Sequence, residues 1–192
     1  MKRIVILTLL LLGLSVGSAQ ATIERAGVGV FGGLSVPVLQ DVNASSFSPS
    51  DAFGKSGSQF GLRVPVKAIP VFTLEPFFAK SSYSDRTDTF AGISYTRDGF
   101  KETAFGLNAI LGHVDGSTVK FFPFVGLGKY KLTRTGSDDI SEAGYDFGLG
   151  LGIQAMQKAS VQIRGEFTMI KTGDTSRKFA GATVGLNYSL LP

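Results

Sequence analysis

Between Gly27 and Leu190 the chain alternates apolar with small or polar residues in eight separate segments. A period of two sends successive side chains to opposite faces of a strand. No stretch after the first 21 residues reaches 18 consecutive apolar residues, so only a closed barrel of strands could carry the chain across a bilayer. An all-β fold follows, either around a water-excluding core or as a barrel in lipid.

The segments run from Gly27 to Val36, Ser58 to Lys67, Phe72 to Phe78, Phe100 to Leu111, Phe121 to Tyr130, Gly144 to Gln154, Val161 to Met169 and Gly181 to Leu190. Ala68-Ile69-Pro70 and the Asp115-Gly116 pair supply tight turns, the latter through a dipeptide that favours positive φ. The connections after the first and third segments are long and rich in Ser, Asp, Asn and Gly, while those after the second, fourth and sixth are short. Short turns at one end and longer polar loops at the other are the layout of an outer-membrane barrel. Pro65, Pro76 and Pro123 each lack a ladder donor and are expected near strand ends or at bulges.

The stretch Tyr145 to Gln154, YDFGLGLGIQ, excludes two competing readings of its glycines. Gly144, Gly148 and Gly152 have the spacing of a helix-dimer seam, but the apolar run is too short for a membrane helix. No lysine-serine or lysine-threonine pair follows to complete a phosphate loop. Gly148, Gly150 and Gly152 therefore read as one face of a strand.

Met1-Lys2-Arg3, the apolar run Ile4 to Leu14 and the ending Ala19-Gln20-Ala21 have the three parts of a secretory signal. Residues 1–21 are expected to be cleaved, leaving 22–192 as one domain. The formal charge is only +4, half of it on Lys2 and Arg3, which argues against a nucleic-acid binder. With no cysteine, there is neither a disulfide staple nor a thiol nucleophile or metal ligand.

Which parity lies inside decides between a soluble barrel and a membrane barrel. The non-apolar parity is mostly Gly, Ala, Ser and Thr, with few of the lysines and glutamates that face water on soluble strands. Large apolar residues outside and small or polar ones inside predict an eight-stranded antiparallel up-and-down transmembrane β-barrel. Arg63, Glu75, Glu102, Arg164 and Glu166, with Asp146 as a further candidate, are expected to form a charge network in the lumen. Gly126, Gly128, Gly148, Gly150 and Gly152 are expected to leave room there for Phe122, Phe124 and Tyr130. Phe72, Phe121 and Tyr188 toward the turns, and Phe78, Tyr145 and Phe147 toward the loops, are the expected interface aromatics.

With these features the chain resembles the small outer-membrane β-barrel family that includes the membrane domain of outer membrane protein A and outer membrane protein X. The resemblance rests on the signal segment, Leu74-Glu75-Pro76-Phe77, Phe122 to Gly128, the Gly148 to Gly152 stretch and the alternating last segment. It implies a Gram-negative outer-membrane location, contact with lipid and lipopolysaccharide, and insertion by the barrel-assembly machinery. The family's terminal aromatic is replaced by Leu191-Pro192, and no peptidoglycan-binding domain is expected after the last strand.

Three function classes follow. The first is a monomeric, non-enzymatic, porin-family-like barrel with a closed, polar, charge-paired lumen, acting structurally or through loops 37–57 and 83–98 on an extracellular ligand. The second is an enzyme acting on lipid A, which needs a histidine to activate a hydroxyl; the only one, His113, stands in a turn beside Asp115 and Ser117. The third is a small solute or hydrophobic-ligand channel, disfavoured because eight strands enclose little more than side chains. No catalytic residue, cofactor or metal is assigned, and Asp85, Asp88, Asp138 and Asp139 read as solvated loop carboxylates rather than calcium ligands.

Overall fold

The computed structural model describes residues 25–38, 55–69, 72–90, 93–112, 119–134, 136, 138–173 and 175–190. The signal segment, most of the 37–57 loop and the His113 to Ser117 turn lie outside the described residues.

The alternating segments form β1 (Arg25–Val38), β2 (Gly57–Arg63), β3 (Val66–Ile69), β4 (Phe72–Tyr83), β7 (Phe100–Leu111), β8 (Lys120–Thr133), β9 (Ile140–Met156), β10 (Ala159–Thr172) and β11 (Thr175–Ser189). They make one sheet in the order β11-β10-β9-β8-β7-β4-β2-β1-β3, and β1 also pairs with β11. All neighbours are antiparallel. Because β2 and β3 continue one another between β1 and β4, the closed barrel has eight strand positions. Closure leaves no edge of unpaired backbone groups, as a lipid environment demands. Two strands missing from the eight-segment pattern, β5 (Arg86–Phe90) and β6 (Ile93–Arg97), form a separate hairpin within the β4–β7 connection.

Pro65, between β2 and β3, and Pro123, the fourth residue of β8, lie near strand ends as expected, whereas Pro76 stands within β4. Pro76 lies inside β4 opposite Leu107, and Pro123 lies in β8 opposite Leu149, both in unshifted register. Pro65 sits between β2 and β3, yet the register on both sides of it runs on unchanged. Val64 N–H donates to Pro76 O and Gly27 N–H to Pro65 O, each at 2.9 Å. The return bonds would need N–H groups on Pro76 and Pro65, which proline lacks. Two missing donors thus converge on Val64–Pro65, dividing β2 from β3 without a bulge. Pro76→Leu is expected to restore the bond to Val64 O and raise stability by about 0.5–1.5 kcal/mol, read as a higher urea midpoint for the bilayer-embedded protein.

One end of the barrel gathers the start of β1 and the end of β11 with the strand ends joined by the β3–β4, β7–β8 and β9–β10 connections, and the other gathers the remaining strand ends. The expected contrast in length is carried only by the β1–β2 and β4–β7 loops. The β10–β11 connection is a tight turn with Gly173 at φ 59°.

The faces separate by parity. Leu127, Val125, Phe121 and Leu186 point outward and are 64, 61, 66 and 60 % exposed, whereas Phe122, Phe124, Glu75 and Arg164 point inward and are almost fully buried. A barrel wall of exposed large apolar side chains belongs against lipid.

Candidate functional site

Among the described residues, the interior holds a buried network of charged and polar side chains. Arg164 on β10 and Glu75 on β4 meet in a two-pronged ion pair, with Nη1 to Oε1 at 2.6 Å and Nη2 to Oε2 at 2.7 Å. Those strands hold the third and seventh of the eight barrel positions, so the pair spans the interior between opposite walls. Gln162 Oε1 accepts from Arg164 Nε and Nη2, and Asn108 Nδ2 donates to Glu75 Oε1 at 3.3 Å.

Arg63 joins the same assembly. Its Nε lies 3.8 Å from Glu75 Oε1, its Nη2 lies 3.6 Å from Glu166 Oε2, and the same nitrogen donates to Thr183 Oγ1 at 3.1 Å. Gln59 Nε2 donates to the other oxygen of Glu166 at 2.9 Å. The guanidinium carbon of Arg63 sits 3.8 Å from the centre of the Phe31 ring, and that of Arg164 lies 5.2 and 5.3 Å from Phe122 and Phe124. Aromatic faces thereby shield and attract both cations.

Arg63, Glu75, Arg164 and Glu166 thus come together, whereas Glu102 does not. Glu102 is buried on β7 with no ion-pair partner among the described residues. Asp146 forms a second cluster, accepting from the Tyr130 hydroxyl and from Thr168 Oγ1, the latter at 2.7 Å. A cavity of about 20 Å³, room for roughly one water, lies between the clusters and is bordered by Gln59, Glu102, Asn108, Asp146 and Glu166.

The aromatic rings occupy spaces left by cross-strand glycines. Phe122 faces Gly150 and Phe124 faces Gly148, and a Cβ at Gly148 would come 2.7 Å from Phe124 Cζ. Tyr130 instead fills the space beside Gly144, where a Cβ would lie 2.7 Å from its Cε2, and Gly126 makes room for Asn108. Gly128 contacts Tyr130 less closely, and Gly152 is buried opposite Gln162.

Toward the loop end the interior turns apolar, beyond the three lumen aromatics expected among its polar residues. Phe31, Ala79, Tyr83, Ala104, Tyr130, Leu132, Ile170 and Phe179 form one buried cluster. Tyr83 stacks on Phe100 with ring centres 4.3 Å apart and donates to Ser35 Oγ at 2.8 Å. Phe31 and Phe179 share the inward parity of their glycine neighbours, the signal by which they are legible in the sequence.

Among the expected interface aromatics, Phe121 and Tyr188 are exposed near the turn end, and Phe72 starts β4 there with its side chain outside the described set. Tyr145 is exposed on the loop side, but Phe78 and Phe147 stand near the middle of their strands, Phe147 beside Phe167 with ring centres 5.2 Å apart. Phe60 and Phe105 add two further exposed aromatics on the outward face. Of the loop acids, Asp85 accepts from Gly99 N–H at 2.6 Å and Asp139 pairs with Lys131 at 2.6 Å. Hydrogen bonds from Lys131 and Thr133 hold the Asp139 carboxyl below the usual range. No group of three or more His, Cys, Asp or Glu residues is placed to hold a metal ion among the described residues.

A family model described as outer membrane protein beta-barrel domain matches residues 6–189. Among solved structures, the chain is similar to Neisserial surface protein A, with 13 % identity, 85 % of this chain and 96 % of that one covered, and a TM-score of 0.62. It is also similar to Ail, the attachment invasion locus protein of Yersinia pestis, with 14 % identity, 88 % and 100 % coverage, and a TM-score of 0.51. No curated protein matches the sequence.

Proposed function

Because the chain belongs to the outer membrane protein beta-barrel domain family, we propose that it is a non-enzymatic outer-membrane barrel with a blocked interior. It is exported through a cleaved signal at residues 1–21 and acts structurally or at the cell surface through the loops at 37–57 and 83–98. It works as a monomer seated among outer-membrane lipid and lipopolysaccharide after insertion by the assembly machinery.

The Arg164–Glu75 bridge carries this reading, because an ion pair between opposite walls with both side chains 0 % exposed supports a lumen blocked at its level. The apolar cluster around Tyr83 and Phe179 adds a second obstruction nearer the loops. Such a lumen favours side-chain packing over transport. Purified protein reconstituted in planar bilayers is expected to give no large stable conductance steps; such steps would overturn the blocked-interior reading. Fractionation with boiled and unboiled gel samples tests the location, and a soluble chain lacking heat-dependent mobility would defeat it.

A further inference from the structure

The charges in the middle of the interior do not balance. Arg63 and Arg164 meet Glu75, Glu102, Asp146 and Glu166 there. Glu75 and Glu166 take the two guanidinium groups, and Asp146 is answered by the hydroxyls of Tyr130 and Thr168. Glu102 faces Ser81 on β4 and Leu132 on β8. Its Oε2 is buried with neither an ion-pair partner nor a hydrogen-bond donor among the described residues.

The paired charges also fix how the neighbouring amides turn. Gln59 and Asn108 give their N–H groups to Glu166 and Glu75. That leaves Gln59 Oε1 and Asn108 Oδ1 as acceptors buried without a donor among the described residues. Gln162 is turned the other way by Arg164, so its Nε2 is the atom left over. Gln59, Glu102 and Asn108 all border the cavity of about 20 Å³, and Glu102 and Asn108 are only 6 and 5 % exposed. Three unanswered oxygens thus belong to the wall of one space the size of a single water. A buried carboxylate without a counter-charge is strongly disfavoured, and a neutral water supplies two hydrogens but no charge. Carboxylate and amide oxygens are the ligands that hard cations take. With Asp146 answered by two hydroxyls, the charge left to match is the single one on Glu102, which favours a monovalent ion.

We propose that Glu102 Oε2, Gln59 Oε1 and Asn108 Oδ1 hold one monovalent metal cation of sodium size inside the barrel. The site rests on the blocked interior and goes beyond it by giving that interior a ligand. The test is urea unfolding of the bilayer-embedded barrel, followed by circular dichroism, across a sodium chloride series. Tetramethylammonium chloride, whose cation is too large for the cavity, keeps the ionic strength constant. Once the site is saturated, each tenfold rise in sodium should lower the unfolding equilibrium constant about tenfold, the linkage for one ion bound only by the folded state. Glu102→Gln removes the charge and supplies an amide donor, and should lose the sodium dependence. Glu142→Gln, at an exposed carboxylate on β9, should keep it. Wild-type stability indifferent to sodium overturns the site, as does an unchanged response in Glu102→Gln; if that variant fails to fold, the wild-type series decides alone. Planar-bilayer recordings separate the two levels. A sodium-indifferent barrel without conductance steps refutes the site alone, and large stable steps refute the blocked interior beneath it.

Discussion

Glu75→Leu is expected to destabilise the folded barrel by about 3–5 kcal/mol, the usual cost of removing one member of a buried ion pair. The substitution leaves Arg164 fully buried with only Gln162 as a hydrogen-bond acceptor among the described residues, and leaves Arg63 with Glu166 as its one carboxylate partner there. The double variant Glu75→Leu/Arg164→Met removes both charges and should recover most of the loss, because desolvation of the pair offsets much of its attraction. The measurement is urea unfolding of the bilayer-embedded barrel followed by circular dichroism, since the chain contains no tryptophan for fluorescence. A double variant no more stable than Glu75→Leu would show that the pair is not energetically coupled.

Gly150→Val should cost about 1–3 kcal/mol or more through overpacking, while Gly165→Val should be neutral or slightly stabilising. A Cβ at Gly150 would enter the Phe122 ring, and that ring is buried beneath the Arg164 guanidinium. At Gly165, on the exposed outer face, a Cβ would meet no heavy atom within 4 Å. There the β-branched residue narrows the unfolded ensemble and suits a strand. Parallel urea titrations decide the matter, and equal effects at the two positions would contradict the assigned faces.

The barrel itself was legible because period two survives in every long strand, so parity assigned Arg63, Glu75, Arg164 and Glu166 to the same side as the glycines. Parity is a property of one strand at a time. Which walls face each other depends on strand stagger and closure, and this is why Glu102 could be placed inside but not seen to stand apart from the arginines. The same limit explains the aromatics: Phe122 and Phe124 were read as lumen residues, but only register seats them on Gly150 and Gly148. Proline invites an expectation of strand ends, which Pro65 meets and Pro76 does not, and the barrel keeps its register at both by confining two lost donors to one short segment.

The pairing of β1 with β11 also sets the cost of closing the barrel. Val38 meets Lys178 and Gly27 meets Ser189, so this seam joins opposite ends of the chain, while the hairpins from β7 through β11 join sequence neighbours. Closing a long loop costs more entropy than closing a hairpin, and contacts between distant residues slow folding. The seam therefore carries a larger closure cost than any of these hairpins, and without it both end strands would present open backbone edges that lipid cannot satisfy.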